Sequence, residues 1–170
     1  ACTGEQGEKD AAAMAAAAGA VLGLKAEEVL VCSTGVIGHN MPMDRVLSGI
    51  KAAAANLSSD GGRDAAEAIL TTDVYRKEIS KTVDLNGITV TISGMAKGSG
   101  MICPNMATML CFITTDAAID SKVLQMALKE SVALSFNQIS VDGDMSTNDT
   151  VLMLANGMAG NAAITPNSDS

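Results

Sequence analysis

Lys77-Glu-Ile-Ser-Lys-Thr-Val-Asp-Leu-Asn86-Gly87-Ile-Thr-Val-Thr-Ile-Ser93 sets an Asn-Gly pair between two runs of alternating apolar and polar residues. Both central residues of a tight hairpin turn need positive φ, and Asn-Gly tolerates that best. Residues 77–85 and 88–93 are therefore expected to form a β-hairpin. Downstream, residues 94–105 read as a glycine-rich loop. The short, continuous apolar run 109–114 reads as a buried strand. Asp120 or Ser121 then caps a helix to about residue 136. Its apolar face carries Val123, Leu124, Ala127, Leu128, Ser131, Val132 and Ser135. Residues 139–141 and 150–155 read as strands, punctuated by Gly143 and Gly157.

Upstream of the hairpin, residues 63–70 read as a short helix and 58–62 as a turn. Pro42 suits the first turn of a helix running to about residue 55, with Asn40 or Met41 near its cap. Residues 33–40 read as a loop and 29–32 as a strand. The alanine-dominated stretch 10–22 reads as a helix ended by Gly23. Both element types are present without a clean βαβ repeat. The expected fold is α/β of the α+β kind, layered helix on sheet.

A chain of 170 residues can bury one sizeable core and is expected to be a single domain. Apolar residues make up 48% and aromatics only 2%, so aliphatic side chains and 11 Met must fill that core. The net charge of −8 disfavours nucleic acid or an anionic membrane as partner. Cys2, Cys32, Cys103 and Cys111 show no CxxC spacing and no small secreted disulfide framework, so a reducing, cytoplasmic setting is expected. No signal peptide is visible. The most apolar stretch, residues 11–24, is too short to span a bilayer.

The chemistry concentrates in Lys97-Gly-Ser-Gly-Met-Ile-Cys-Pro-Asn-Met-Ala-Thr108-Met-Leu. This turn delivers Thr108 onto the apolar run, with small Ala107 before it. A threonine at a strand start is ordinary. The sharper reading is that a chain cut before Thr108 exposes it as a new N-terminus. Its hydroxyl then becomes a nucleophile and its own amine a nearby base. An α-amine titrates near pH ~8, so it is partly neutral under physiological conditions. His39, the only histidine, reads as a loop bystander. No His/Cys cluster has metal-ligand spacing. Asp142, Asp144 and Asp149 lie in a Gly-containing acidic stretch that lacks the closing glutamate of a calcium loop. A turn or a support to the active site is the better reading.

Four stretches together resemble the ornithine acetyltransferase (glutamate N-acetyltransferase) family. They are the Thr108 segment, Cys2-Thr-Gly-Glu-Gln-Gly-Glu-Lys-Asp-Ala, Ser33-Thr-Gly-Val-Ile-Gly38 with Met41-Pro-Met-Asp44, and Ser140-Val-Asp-Gly-Asp-Met-Ser-Thr-Asn-Asp149. The match covers nearly the whole chain in the family's order, and family members extend further on both sides, so an internal fragment is expected. The resemblance implies an N-terminal-nucleophile-like sandwich cut between Ala107 and Thr108. Residues 1–107 would then end one processed chain and 108–170 begin the other. It implies Thr34 and Gly35 as oxyanion donors, and Thr71 and Lys97 as substrate-binding residues. Thr72 is the neighbouring alternative to Thr71. The implied reaction moves acetyl from N2-acetylornithine to glutamate through acetyl-Thr108, in arginine biosynthesis. No cofactor or metal is implied, and acetyl-CoA is left open as a co-substrate. The assembly implied is a homo-oligomer or α2β2 heterotetramer. Two other readings stay open: a self-processed amidohydrolase or aminopeptidase, and an inactive fragment.

Overall fold

The computed structural model describes residues 2–103, 109–166 and 168. Their contacts gather into two compact units, Ala1–Asp64 and Ala65–Ser170.

In the first unit, helix α1 spans Gly4–Leu22 and helix α2 spans Met43–Ala55, and the two pack together. α1 starts six residues before the expected point. Glu5, Gln6, Glu8 and Lys9 are good helix formers, and Gln6 Nε2 donates to Asp10 Oδ1 one turn on, at 2.8 Å. Gly23 ends the helix in the left-handed region (φ 71°). Pro42 stands just before α2, where its carbonyl accepts from Arg45 and Val46. The expected strand at residues 29–32 does not form. A single turn of 3-10 helix, Ala26–Glu28, precedes it, and none of the named strands lies in this unit to pair with it.

Gly19 shows how closely this unit packs. A Cβ there would sit 2.8 Å from the Leu24 carbonyl oxygen, a backbone atom with little room to move. Alanine at a helix position normally gains about 1 kcal/mol over glycine. Here overpacking, which costs about 1–3 kcal/mol, should outweigh that gain. Gly19→Ala is expected to lower the melting temperature, whereas Gly49→Ala, which meets open space in α2, should raise it or leave it unchanged.

The second unit is built on a four-stranded sheet. Helix α3, Gly62–Ala68, leads into β1 (Lys77–Leu85), β2 (Ile88–Lys97), β3 (Leu110–Thr115), helix α4 (Ser121–Leu134) and β4 (Thr150–Ala155). The hairpin forms as the Asn-Gly pair predicts: Asn86 and Gly87 both have positive φ, 55° and 85°, and Lys77 pairs with Ala96 at its open end. The Gly87 N–H also donates to Asp84 Oδ1 at 3.0 Å. β2 runs four residues beyond the predicted end because β3 pairs along its far half, from Ile92↔Thr115 to Lys97↔Leu110. β4 lies parallel to β3, with α4 as the crossover that such pairing requires. Asp120 caps α4 through the Lys122 and Val123 N–H groups. Residues 139–141 make only an isolated bridge, Val141 to Ile102. The buried apolar residues of this unit are Ala66, Val90, Leu110, Cys111 and Ala117.

Candidate functional site

Register brings three strand ends together. Lys97 closes β2 and pairs with Leu110, which opens β3; Leu110 pairs with Thr150, which opens β4. The Lys97 side chain is only 1% exposed. A buried ammonium is costly without a counter-charge, and the Asp149 carboxylate supplies one. Burial pushes the Asp149 carboxyl above its ordinary value; the Met109 N–H and the Lys97 charge pull it back only in part. Asp149 Oδ1 accepts the Met109 N–H at 2.7 Å, and the Met109 carbonyl accepts from Thr150 at 3.0 Å. Asp149 Oδ2 is shielded from solvent and has no hydrogen-bond partner among the described residues.

The turn before β1 approaches the same strand end. Asp73 Oδ1 accepts the Gly98 N–H at 2.7 Å and an ion-paired bond from Lys77 Nζ. The Thr72 hydroxyl bonds the Ser99 hydroxyl at 2.7 Å. The start of the glycine loop is thus tied to residues 72–73. Between these groups lies a mainly apolar cavity of about 360 Å³, lined by Val74, Tyr75, Lys97, Ile102, Met109 and Phe136 among others. An apolar pocket with a few convergent polar groups is the ordinary form of a small-molecule site.

Burial pushes the Asp73 carboxyl up, but the Lys77 hydrogen bond, the Gly98 and Thr71 N–H groups and the Lys77 charge outweigh it. The carboxyl is held below its ordinary 3.8. Its stabilising contribution is therefore full above that value and is lost as pH falls through the lower folded value. Asp73→Asn keeps the shape but gives up the charge-assisted bonds, worth about 1.5–3 kcal/mol. The variant is expected to melt earlier at pH 7. Its deficit should shrink as pH falls through that lowered folded value, where the parent carboxyl also becomes neutral. Thermal melts across that range check this; a deficit independent of pH would refute it.

The sequence-predicted residues are distributed as follows. Lys97 lines the cavity, and Thr71, exposed, lies two residues from the Asp73 anchor. The Thr72 hydroxyl is engaged by Ser99, which leaves Thr71 as the better substrate candidate of the two. Thr34, half-buried, and Gly35, exposed, belong to the first unit and precede a turn in which His39 N–H donates to Val36 O. His39 is exposed in the same unit. Ala107 and Thr108 lie outside the described residues. All four cysteines are free thiols. Burial pushes the Cys111 thiol up to about 11, so it is not a nucleophile at neutral pH. Among the described residues no cluster of three or more His, Cys, Asp or Glu forms a metal site. Nor is any helix among them long and apolar enough to cross a membrane.

Two residues of this site have contacts that the sequence alone does not reveal. Asp73 belongs to no motif of its own, and its bond to the Gly98 N–H spans 25 positions. Asp149 stood in the acidic stretch, but nothing in a single sequence links it to Met109, forty positions away.

The fold and the sheet-end cluster define a mixed α/β chain in which a buried lysine lends its charge to a half-buried aspartate beside an apolar cavity. The chain belongs to the ArgJ family, whose profile matches residues 1–169. It is 61% identical over 168 residues to the arginine biosynthesis bifunctional protein ArgJ of Symbiobacterium thermophilum, covering 99% of this chain and 42% of that protein. It is 53% identical over 165 residues to the ArgJ protein of Bacillus subtilis, covering 97% of this chain and 40% of the relative. The crystal structure of the ArgJ protein of Bacillus halodurans superposes with a TM-score of 0.56 at 44% identity, over 63% of this chain and 56% of that one. The chain thus spans about two fifths of the length of the curated relatives it matches.

Proposed function

We propose that this chain is part of a self-processing glutamate N-acetyltransferase of arginine biosynthesis. Thr108 takes acetyl from N2-acetylornithine, releases ornithine, and passes the acetyl to glutamate. The observation that carries this reading is the burial of Lys97 at the end of β2, beside the start of β3, in the wall of an apolar cavity that Met109 also lines. Met109 is the residue bonded directly to Thr108. A lysine ammonium there suits the carboxylate common to both amino-acid substrates, and the apolar wall suits a methylene chain. Thr71 is the second substrate contact, near the anchor that holds Gly98.

Thr108 Oγ adds to the Ala107 carbonyl carbon, the Ala107-Thr108 C–N bond breaks, and the hydroxyl proton ends on the freed amine. Water then hydrolyses the ester, leaving a carboxylate on Ala107 and a free hydroxyl and amine on Thr108. In transfer the amine serves as base while the same hydroxyl attacks the acetyl carbonyl. Thr34 and Gly35 are assigned to the oxyanion that develops in both steps, where donors act on charge absent from the ground state. The reaction needs no cofactor; acetyl-CoA is an alternative acetyl donor. The proposed assembly is a homo-oligomer or, after processing, an α2β2 heterotetramer, acting in the cytoplasm.

Intact mass under denaturing conditions, for the parent and for Thr108→Ala, tests the reading. Two fragments meeting at Ala107/Thr108 in the parent alone support it. A cut elsewhere, or the same cut in Thr108→Ala, refutes it.

A further inference from the structure

Both flanks of the segment that carries the proposed cut are held by one stretch of chain, residues 141–150. Upstream, Ile102 and Val141 exchange N–H···O bonds of 2.8 and 2.5 Å. Beside them Asp142 Oδ2 accepts the Met101 N–H at 3.2 Å, with Asp142 itself at φ 70°. Downstream, Asp149 Oδ1 holds the Met109 N–H at 2.7 Å while Thr150 N–H holds the Met109 carbonyl at 3.0 Å. The two carboxylates are not equivalent. Asp142 is exposed and its bond is long. Asp149 is half-buried, its bond is short, and it stands against the Lys97 charge.

Intramolecular attack on a carbonyl requires the nucleophile within about 3–3.5 Å in the right direction, and small misplacements cost orders of magnitude. The Met109 N–H and carbonyl are both held, so the backbone is fixed at the residue that directly follows Thr108 in the chain. We infer that Asp149, with Asp142 as the weaker partner, is a positioning residue for self-cleavage, anchoring the backbone on the C-terminal side of Thr108 through the Met109 amide. This rests on the proposal that Thr108 cuts the chain. It assigns to Asp149 a role distinct from nucleophile, oxyanion donor or substrate contact. It also gives the acidic stretch a purpose: it clamps the cleavage segment at both flanks.

The test measures the rate of cutting in the longest chain that carries this segment, by denaturing mass analysis over time. Four variants are compared with the parent: Asp149→Ala, Asp149→Asn, Asp142→Ala and Asp144→Ala. Calorimetry confirms that each is folded. Asp149→Ala is expected to cut about tenfold more slowly or worse, the rate equivalent of one charge-assisted hydrogen bond. Asp149→Asn keeps a carbonyl acceptor of roughly half the strength and should stay within about threefold of the parent. Asp144 is exposed in the same stretch, and Asp144→Ala should cut at the parent rate. Equal rates for the parent and Asp149→Ala overturn the inference. So does a loss in Asp149→Asn as deep as in Asp149→Ala, which would assign the effect to charge rather than to an anchor. If Asp149→Ala does not fold, Asp142→Ala decides: slowing by about threefold supports the clamp, and an unchanged rate overturns it. A parent that never cuts at Ala107/Thr108 sinks the acetyltransferase reading and this inference together. A parent that cuts normally beside an equally fast Asp149→Ala sinks the inference alone.

Discussion

Thr108→Ala is expected to stay a single uncut chain and to lose acetyl transfer by about 10⁴- to 10⁶-fold, the scale seen when a catalytic nucleophile is removed. Both losses have one origin. In the proposed mechanism the hydroxyl that breaks the Ala107-Thr108 bond is the one that later carries acetyl, and the amine that assists it exists only once the bond is broken. Thr108→Ser separates the two roles. It keeps the hydroxyl, so cutting should proceed, more slowly because the γ-methyl no longer restricts the χ1 rotamer. Transfer should return in proportion to the fraction cut. Transfer by an uncut Thr108→Ser chain at the parent rate would refute the requirement for the freed amine.

Lys97→Met should lower kcat/KM for transfer by about 10²- to 10³-fold, because truncating one member of a buried, desolvated charge pair typically costs 2–5 kcal/mol. Methionine preserves the unbranched stem that fills the wall of the cavity, so the loss reports the charge rather than the packing. The Asp149 carboxyl, already raised by burial, loses the charge that draws it back and should rise further. A protonated Asp149 still offers a carbonyl oxygen to the Met109 N–H, so the chain should still be cut. The expected signature is thus a processed protein with poor transfer. Parent-level transfer by Lys97→Met would remove Lys97 from the substrate site; a failure to cut would tie it to processing instead.

The elements legible in sequence are those whose cause is local. Asn86-Gly87 specifies the hairpin turn through two positive φ values, and the turn sets the register of both strands. Asp120 specifies the start of α4 in the same way. Residues 29–32 have the composition of a strand but lack a strand partner in their unit, and composition cannot supply one. The site divides along the same line. Lys97 and Thr71 are candidates because the motifs around them resemble a family. Asp73 and Asp149 act across separations of 25 and 40 residues. Such contacts become visible only once the sheet sets β2, β3 and β4 side by side. The burial of Lys97 is likewise a product of that topology, since lysine is by default a surface residue.

The six paired positions between β2 and β3 acquire a second meaning if the chain is cut before Thr108. β2 would then end one polypeptide and β3 begin another, so an internal ladder becomes the seam of a two-chain complex. The halves would stay together on dilution and part only on denaturation. Because the seam is laid down before the cut, the uncut precursor acts as its own assembly template. Two halves expressed separately would have to find the same register by bimolecular collision, with two unpaired strand edges exposed to the wrong partners meanwhile.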